Sequence, residues 1–316
     1  MEWIKPGTNW NFMGHRRPTA VLSVILVLAS VAVFFLLGPE LGIDFAGGIE
    51  MRVNFEVDPG MEAIRDTLKS VGMGEAQIQK FTNMPGENIY TIDIKGSKGV
   101  DLEDTQKSTV MGDEAKLLSD TLKEKFPDGN VEIISTDVVG DVVGEDLKSK
   151  AFWAVVLALI GIMVYIGYRF DFRYSPGAIA ALAHDVLITV GFFVVIQHEF
   201  NLTTIAALLT IAGYSVNDTI IVFDRIREGR RKYHREKLDD VVNKSINETL
   251  SRTLLTSFTT MVAVLAMFFL GGELLRDFDI AMIVGIVVGT YSSIFVASPV
   301  FLALESVSRE RRKRRP

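Results

Sequence analysis

Two ionisable residues, one within an apolar stretch of this sequence and one just before another, could together bind and release an ion. Asp218 lies within the apolar segment Leu202–Phe223, and Arg252 immediately precedes the segment Leu254–Leu270. A carboxylate at that depth in a bilayer costs roughly 2.5–3.5 kcal/mol on insertion scales, so a functional use is the default hypothesis. Asp218 can gain and lose a proton whereas Arg252 stays charged. The pair therefore predicts a gate for a proton or another cation, with a purely structural ion pair as the alternative.

Polar residues recur at helical spacing around both members of this pair. In the first segment Asn217 shares one predicted helix face with small residues, namely Ala206, Thr210 and Gly213. In the second segment the polar residues are Thr249, Arg252, Thr253, Thr256 and Thr260. Their spacing predicts a polar stripe on one face of an otherwise apolar helix, which is what a bundle interior or a file of water requires.

A third segment, Pro176–Ile196, carries the neighbouring residues His184 and Asp185. Side chains of adjacent residues point about 100° apart on a helix, so at most one of them faces a given partner. We expect Asp185 to be a candidate extension of the ion path and His184 to be a packing or hydrogen-bonding residue. The chain has four histidines, widely spaced, and no cysteine. The sequence therefore predicts no metal centre, no catalytic residue and no cofactor.

Membrane-spanning helices are needed to position these residues, and the composition of the chain predicts such helices. The 316-residue chain has a mean hydropathy of +0.28 with 23 % charged residues, which disfavours a soluble enzyme and a nucleic-acid binder. Pro18–Leu37 contains no charged residue and has about the 20 residues that a helix needs to cross a bilayer. It is interpreted as an uncleaved anchor. Six spans are predicted, at residues 18–37, 151–168, 176–196, 202–223, 254–270 and 278–304.

The flanking cations predict the orientation of these spans. His15, Arg16 and Arg17 precede the first span, a cluster from Arg225 to Lys237 follows the fourth, and Arg309–Arg315 follows the sixth. By the positive-inside rule, residues 1–17 and the basic tail 305–316 lie in the cytoplasm. Residues 38–150, which are rich in Asp and Glu, then lie on the outer face.

The polar region 38–150 predicts a small α+β domain inserted after the first span. Alternating or apolar runs predict strands, and apolar residues at helical spacing predict helices. In order these elements are strand 50–57, helix 61–71, strands 76–81 and 88–94, helix 101–126 and strand 131–139. This order is that of the ferredoxin-like fold. The fold class is therefore a six-helix membrane bundle carrying a ferredoxin-like domain.

Three motifs along the chain resemble the SecF members of the SecD/SecF family, within the resistance-nodulation-division superfamily. They are Leu41–Gly48, with Gly42, Asp44, Gly47 and Gly48, then Gly213–Thr219, and then Asn247–Ser257. By residue types alone, the first motif is interpreted as a tight backbone turn. The resemblance covers essentially the whole chain, and it implies a proton-relay role for Asp218, Arg252 and Thr256.

The resemblance also implies partners and a place in the cell. It implies assistance of polypeptide export driven by the proton or sodium motive force, in a prokaryotic inner membrane. The implied partners are SecD, the SecYEG channel and the precursor polypeptide, with YajC, SecA and membrane lipid as further contacts and no nucleic acid. Two other functions stay open. A stand-alone exporter of small molecules or lipids needs a second equivalent half and an apolar pocket, and a passive translocon scaffold tolerates neutral residues at Asp218 and Arg252.

Overall fold

The computed structural model describes residues 8–81, 88–95, 104–169, 173–272 and 275–313, which form two compact units. One unit combines Met1–Glu40 with Ala154–Pro316, and the other is Leu41–Trp153. We call them the bundle and the inserted unit.

The bundle is built from long α-helices. They are α1 (Arg16–Leu37), α5 (Asp141–Arg169, which starts in the inserted unit), α6 (Ser175–Val195), α7 (Leu202–Lys232), α8 (Leu238–Leu270), α9 (Arg276–Ser292) and α10 (Ser298–Lys313). A π-helical segment, Ser293–Ala297, joins α9 to α10. Six helical stretches among the described residues are long and apolar enough to cross a membrane. The chain is thus a multi-pass membrane protein, and the predicted fold class is confirmed.

Several helices continue beyond the apolar segments read from the sequence. α7 extends to Lys232, and α8 begins at Leu238 although its apolar stretch starts only at Leu254. Apolar residues mark only the part of a helix that lies in lipid, whereas the backbone hydrogen bonds that define the helix continue into polar sequence. The end of the bundle where α1, α6 and α8 begin and α7 ends carries most of the cations, and we call it the basic end. Residues 314–316, which include the last two arginines of the predicted basic tail, lie outside the described residues.

Three helices form the centre of the bundle. Half of the residues in the membrane windows of α6, α7 and α9 are buried, against 6 %, 11 % and 17 % in α1, α5 and α8. Glycines bring the central helices together, because a Cβ added at Gly285 of α9 would lie 2.4 Å from Ile211 of α7. One turn further along α9, a Cβ added at Gly289 would lie 3.1 Å from Ser215 of α7. These contacts fix α7 beside α9 at the level of the polar residues.

Substituting Gly285 with valine is expected to destabilise the bundle. The added side chain overlaps Ile211, and forcing extra volume into a packed interior costs about 1–3 kcal/mol. We expect the melting temperature of the detergent-solubilised chain to fall by several degrees. Gly161→Val in α5 is the matched control, since a Cβ at Gly161 meets nothing within 4 Å among the described residues. Equal melting temperatures for the two variants would contradict the tight α7–α9 contact.

The inserted unit has the predicted ferredoxin-like topology. Its elements are α2 (Ile43–Ala46), β1 (Gly48–Asn54), α3 (Met61–Ser70), β2 (Gln77–Phe81), β3 (Ile89–Lys95), α4 (Asp104–Lys125) and β4 (Glu132–Val139). The strands pair antiparallel in the order β2-β3-β1-β4. Alternate residues of β1, Met51 and Val53, face a core completed by Ile64 and Leu68 of α3 and Leu118 and Leu122 of α4. Residues 101–103 of the predicted second helix lie outside the described residues.

The glycine motif Leu41–Gly48 forms a helical turn rather than the simple backbone turn expected from its residue types. α2 occupies Ile43–Ala46, and Gly47 follows it with φ of 73°, a conformation that favours glycine. A Cβ at Gly47 would lie 2.6 Å from the side chain of Asp141 at the start of α5. Gly42, Asp44, Gly47 and Gly48 therefore belong to the inserted unit, where Gly47 lets the chain pass close to α5.

Candidate functional site

Asp218 lies on the buried side of α7, with only 2 % of its surface exposed. The part of α7 from Leu202 to Asn217 carries no charged residue. At a rise of 1.5 Å per residue, Asp218 lies about 24 Å along the helix from Leu202. Among the described residues its Oδ2 atom has no hydrogen-bond partner. Buried polar groups are normally paired, and a buried carboxylate oxygen without a partner is therefore a candidate site for binding a proton or a cation.

The antiparallel pair α7 and α8 sets which residues lie opposite Asp218. Near the basic end a Cβ added at Gly229 would lie 3.0 Å from the Ser245 hydroxyl, and further into the bundle the Tyr214 hydroxyl donates to Ser257 Oγ at 3.3 Å. This register places Asp218 opposite the stretch of α8 from Thr253 to Ser257. The Thr253 hydroxyl is buried and also lacks a partner among the described residues. Two unsatisfied buried oxygens thus lie at one level of the helix pair.

Arg252 acts on Asp218 at longer range than an ion pair. The Asp218 carboxylate interacts electrostatically with Arg252 and with Ser257 of α8. No salt bridge within 4 Å joins Asp218 to Arg252 in the part of the chain that the structure describes. The positive charge is therefore close to the carboxylate without being bonded to it.

The polar residues of α8 spread over a wider arc than the predicted stripe. Thr249 and Thr253 are buried against the bundle, whereas Arg252 is exposed on the surface of the chain. Thr256 is half-buried, and its hydroxyl donates to the carbonyl oxygens of Arg252 at 3.1 Å and Thr253 at 2.9 Å. Because residues 252 and 253 point about 100° apart, one narrow face cannot hold the whole set. Asp218 faces the buried edge of this arc, and Arg252 occupies its exposed edge.

The small-residue face of α7 is exposed, with none of the described residues packed over it. Asn217 is exposed, together with the other members of that face, Ala206, Thr210 and Gly213. Asn217 and Asp218 therefore point to different sides of α7, the first outward and the second into the bundle.

Asp185 lies at the centre of a different polar cluster, where α6, α7 and α9 meet. It is fully buried, and its Oδ2 accepts hydrogen bonds from Ser215 of α7 and from Ser292 of α9, the latter at 2.7 Å. Its Oδ1 lies 2.9 Å from Nδ1 of His184. The expectation that His184 and Asp185 serve separate partners is thus corrected, because their side chains bend toward each other within α6.

The Asp185 cluster extends to α1 through an aromatic side chain of α9. The His184 ring stacks on Tyr291 with centroids 6.0 Å apart. The Tyr291 hydroxyl donates to the carbonyl of Thr19 at 3.0 Å and lies 3.1 Å from Ser23 Oγ, both on α1. Four of the membrane helices are thereby joined around one carboxylate.

Several residues of these clusters were not singled out from the sequence. They are Ser215, Ser257, Thr290, Tyr291 and Ser292, and Ser257 lies 2.8 Å from the Thr290 hydroxyl. Ser215 and Ser257 carried a usable signal, since each lies within one of the three motifs and Ser215 lies nearly one turn before Asp218. Serine and threonine are common on membrane helices, so position in the folded bundle is what identifies the others.

The polar cluster of the inserted unit is poorly suited to proton exchange. Lys80 pairs with Asp58, the Tyr90 hydroxyl donates to it at 2.5 Å, and the Gly60 backbone N–H donates at 3.0 Å. Above all the bond from Lys80, and then those from Tyr90 and Gly60, lower the pKa of Asp58 to about 2. Asp58 thus stays ionised near neutral pH. Throughout the described residues, no group of three His, Cys, Asp or Glu side chains could hold a metal ion.

Comparison with known proteins identifies relatives for nearly the whole chain. The family model of the protein export membrane protein SecD/SecF, C-terminal part, matches residues 118–307. Protein translocase subunit SecF of Rhodothermus marinus is 42 % identical, with 98 % of each chain covered. The protein of the same name from Magnetococcus marinus is 39 % identical, with 98 % of this chain and 97 % of the relative covered.

Solved structures show the same architecture. The crystal structure of SecDF, a translocon-associated membrane protein from Thermus thermophilus, is similar with a TM-score of 0.81 at 36 % identity. The match covers 95 % of this chain but only 39 % of that one. A structure of SecDF in a super-membrane-facing form has a TM-score of 0.71 and 35 % identity, with 100 % of this chain and 41 % of the other covered. The chain thus spans about two fifths of the length of these SecDF chains.

Proposed function

The chain belongs to the SecD/SecF family of protein-export membrane proteins, and from that membership we propose that it couples an ion gradient to polypeptide export. As a member it is a protein translocase subunit, a component of transport that works with SecD. The energy source is the proton or sodium motive force, which acts through the residues described below. SecYEG conducts the precursor polypeptide, and SecA and YajC act beside it.

The buried carboxylate of Asp218, whose Oδ2 atom has no hydrogen-bond partner among the described residues, is the observation that carries this proposal. Arg252 lies near enough to attract the carboxylate, yet no salt bridge within 4 Å joins the two in the described part of the chain. Binding of a proton or a cation at Asp218 removes the attraction to Arg252, so α7 and α8 can then shift relative to each other. Release of the ion restores the negative charge of Asp218, and its attraction to Arg252 then draws α7 and α8 together again. Thr256, which bonds the backbone beside Arg252, and the hydroxyl of Ser257 line this path.

The energy available at this site is sufficient to move a helix pair between two arrangements. One elementary charge that crosses a potential of 100 mV releases roughly 2.3 kcal/mol. That free energy shifts a two-state equilibrium by about fifty-fold. Coupling therefore needs only one ion per cycle to bias the bundle strongly.

A SecD half completes the site in this proposal. The face of α7 that carries Asn217 and the edge of α8 that carries Arg252 are exposed in this chain. An exposed arginine at membrane depth is costly against lipid, and small residues allow a neighbouring helix to approach closely. The SecDF chains contain additional sequence beyond the two fifths that this chain matches. We assign the covering of this face to SecD.

The charge distribution supports an orientation in the inner membrane of a prokaryote. The basic end carries Arg16, Arg17 and the cations of the turn between α7 and α8. By the positive-inside rule this end lies in the cytoplasm with both termini, and residues 38–150 lie in the periplasm.

Export into inverted membrane vesicles tests the proposed function. A precursor is first allowed to begin translocation with ATP, and its completion is then measured with an uncoupler or with a sodium ionophore. We expect completion to be ionophore-sensitive in vesicles that contain this chain and SecD, and insensitive in matched vesicles that lack the chain. Identical completion in both would contradict ion coupling and favour a passive scaffold. Copurification with SecD in mild detergent would support ion coupling or a passive scaffold and would contradict a stand-alone exporter.

A further inference from the structure

The amino-terminal strap, residues 9–13, is held by two asparagine side chains of α8. Asn247 Oδ1 accepts from the backbone N–H of Trp10 at 2.9 Å, and its Nδ2 donates to the carbonyl of the same residue at 2.9 Å. One amide therefore pairs with both polar groups of one residue, as a neighbouring β-strand would.

The second asparagine extends this pairing along the strap. Asn243 Oδ1 accepts from the backbone N–H of Phe12 at 2.8 Å and of Met13 at 3.4 Å. Its Nδ2 donates to the carbonyl of Trp10 at 2.8 Å and to the side chain of Asn9 at 3.3 Å. Asn243 and Asn247 are four residues apart, so they lie on one face of α8. Together they form an amide clasp that bonds the main chain of the strap at Trp10, Phe12 and Met13.

Apolar and ionic contacts fasten the same strap at its far end. Met13 is buried in the core of the bundle, and the Phe12 ring lies 6.0 Å from that of Phe295. Arg16, at the start of α1, pairs with Asp239 in the first turn of α8 at 2.7 Å. The clasp thus joins the start of α1 to the start of α8.

The strap, through Phe12, contacts the π-helical segment of the bundle. Phe295 belongs to the π-helical segment Ser293–Ala297, which precedes Pro299. Proline lacks the backbone N–H that would bond the preceding turn, and π-helical turns are found mostly at functional sites. Phe295 also packs on Tyr291 with centroids 5.1 Å apart, and Tyr291 packs on His184 beside Asp185. Ring contacts therefore run from the strap to the buried carboxylate cluster.

We propose that Asn243 and Asn247 are positioning residues, whose clasp on the strap fixes α8 while Asp218 and Arg252 are engaged and opens once in each transport cycle. Arg252 follows Asn247 by little more than one turn of an uninterrupted helix. A movement of Arg252 relative to α7 therefore also moves the two asparagines. The bonds of Trp10 to Asn247 are exposed, so water can replace them at little net cost. This inference rests on the proposed function, since it assumes that α7 and α8 shift.

A reversible cross-link between the strap and α8 tests the clasp. The chain has no cysteine, so Asn9→Cys with Asn243→Cys introduces a unique thiol pair where two side chains touch at 3.3 Å. We expect a short, reducible bifunctional thiol reagent to lower ionophore-sensitive export at least about tenfold, and reduction to restore it. Export by each single-cysteine variant should be equal with and without the reagent, so that a loss in the paired variant reports the cross-link and not the removal of Asn243. Undiminished export by the fully cross-linked chain, still associated with SecD, would overturn the proposal.

Two further measurements separate a positioning role from mere stability. Asn247→Leu should lower export several-fold, and Asn247→Gln should recover much of it because the amide is retained. The thiol pair should also cross-link several-fold more slowly in vesicles with an imposed ion gradient, a readout that needs no export. Ionophore-sensitive export with a cross-linking rate unaffected by the gradient would overturn the clasp alone. A gradient-dependent rate without ionophore-sensitive export would support the clasp and contradict the proposed function.

Discussion

Asp218→Asn is expected to lower ionophore-sensitive export at least about tenfold in a chain that still inserts into the membrane and binds SecD. Asparagine has nearly the same volume and stays polar, but it cannot ionise and so cannot respond to a proton or pair with a cation. Completion of precursor translocation in inverted vesicles, at matched amounts of assembled protein, measures the loss. The remaining export should equal that of wild-type vesicles treated with the ionophore.

The stability of this variant should be unchanged or higher, which distinguishes a functional carboxylate from a structural one. Asp218 Oδ2 has no hydrogen-bond partner among the described residues, so the native bundle gains little from it. A buried charge is costly, and its removal lowers that cost. We therefore expect an equal or higher melting temperature in detergent together with the loss of coupling.

Asp224→Asn is the matched control on the same helix. Asp224 lies at the basic end of α7, and its side chain is 37 % exposed and bonded to Arg169 at 3.0 Å. Exposed salt bridges contribute little, so export should remain close to wild type. If Asp218→Asn also kept ionophore-sensitive export, the site would be structural and the passive-scaffold reading would be favoured.

Periodicity and charge in the sequence were sufficient to predict the architecture. The six spans and the strand-helix order of the inserted unit follow from apolar patterns that each element shows by itself, and Asp218 stands out because it interrupts one of them. The spacing of polar residues on α8 was less informative. It could not tell that Arg252 faces outward while Thr253 faces the bundle, because that depends on the rotation of α8 against α7.

The remaining features depend on contacts between residues distant in sequence. Ser215 and Ser292 reach Asp185 from two other helices, and nothing in either local sequence marks a hydrogen bond to α6. The clasp was invisible for a related reason. Asn243 and Asn247 bond the main chain of the strap, and such bonds leave no pattern of side-chain types at residues 9–13.

Asp185→Leu is expected to destabilise the bundle more than any other substitution considered. The change leaves His184, Ser215 and Ser292 without their common acceptor in the interior. Ser292 keeps a bond to the carbonyl of Gly289 at 3.2 Å. Each buried donor that loses its only partner costs about 1–3 kcal/mol, so the loss at His184 and Ser215 is on the order of several kcal/mol. Thermal unfolding in detergent can be followed by the fraction of chain that remains monodisperse. The melting temperature should fall further for Asp185→Leu than for Gly285→Val. Asp240→Leu, at an exposed position of α8, is the control and should melt close to wild type.

Asp185→Asn then decides between anchoring and ion coupling at this position. Asparagine keeps one acceptor oxygen but turns an amide toward donors, so an anchoring role predicts an intermediate melting temperature and export reduced only in proportion to the folded protein. An ion-coupling role predicts the pattern of Asp218→Asn, in which export is lost and stability is kept. Because Asp185 accepts bonds from two serines and pairs with His184 while Asp218 Oδ2 has no partner, we expect the anchoring outcome. Between Asp185 and Asp218, we expect the carboxylate with fewer hydrogen bonds, Asp218, to be the one that exchanges an ion.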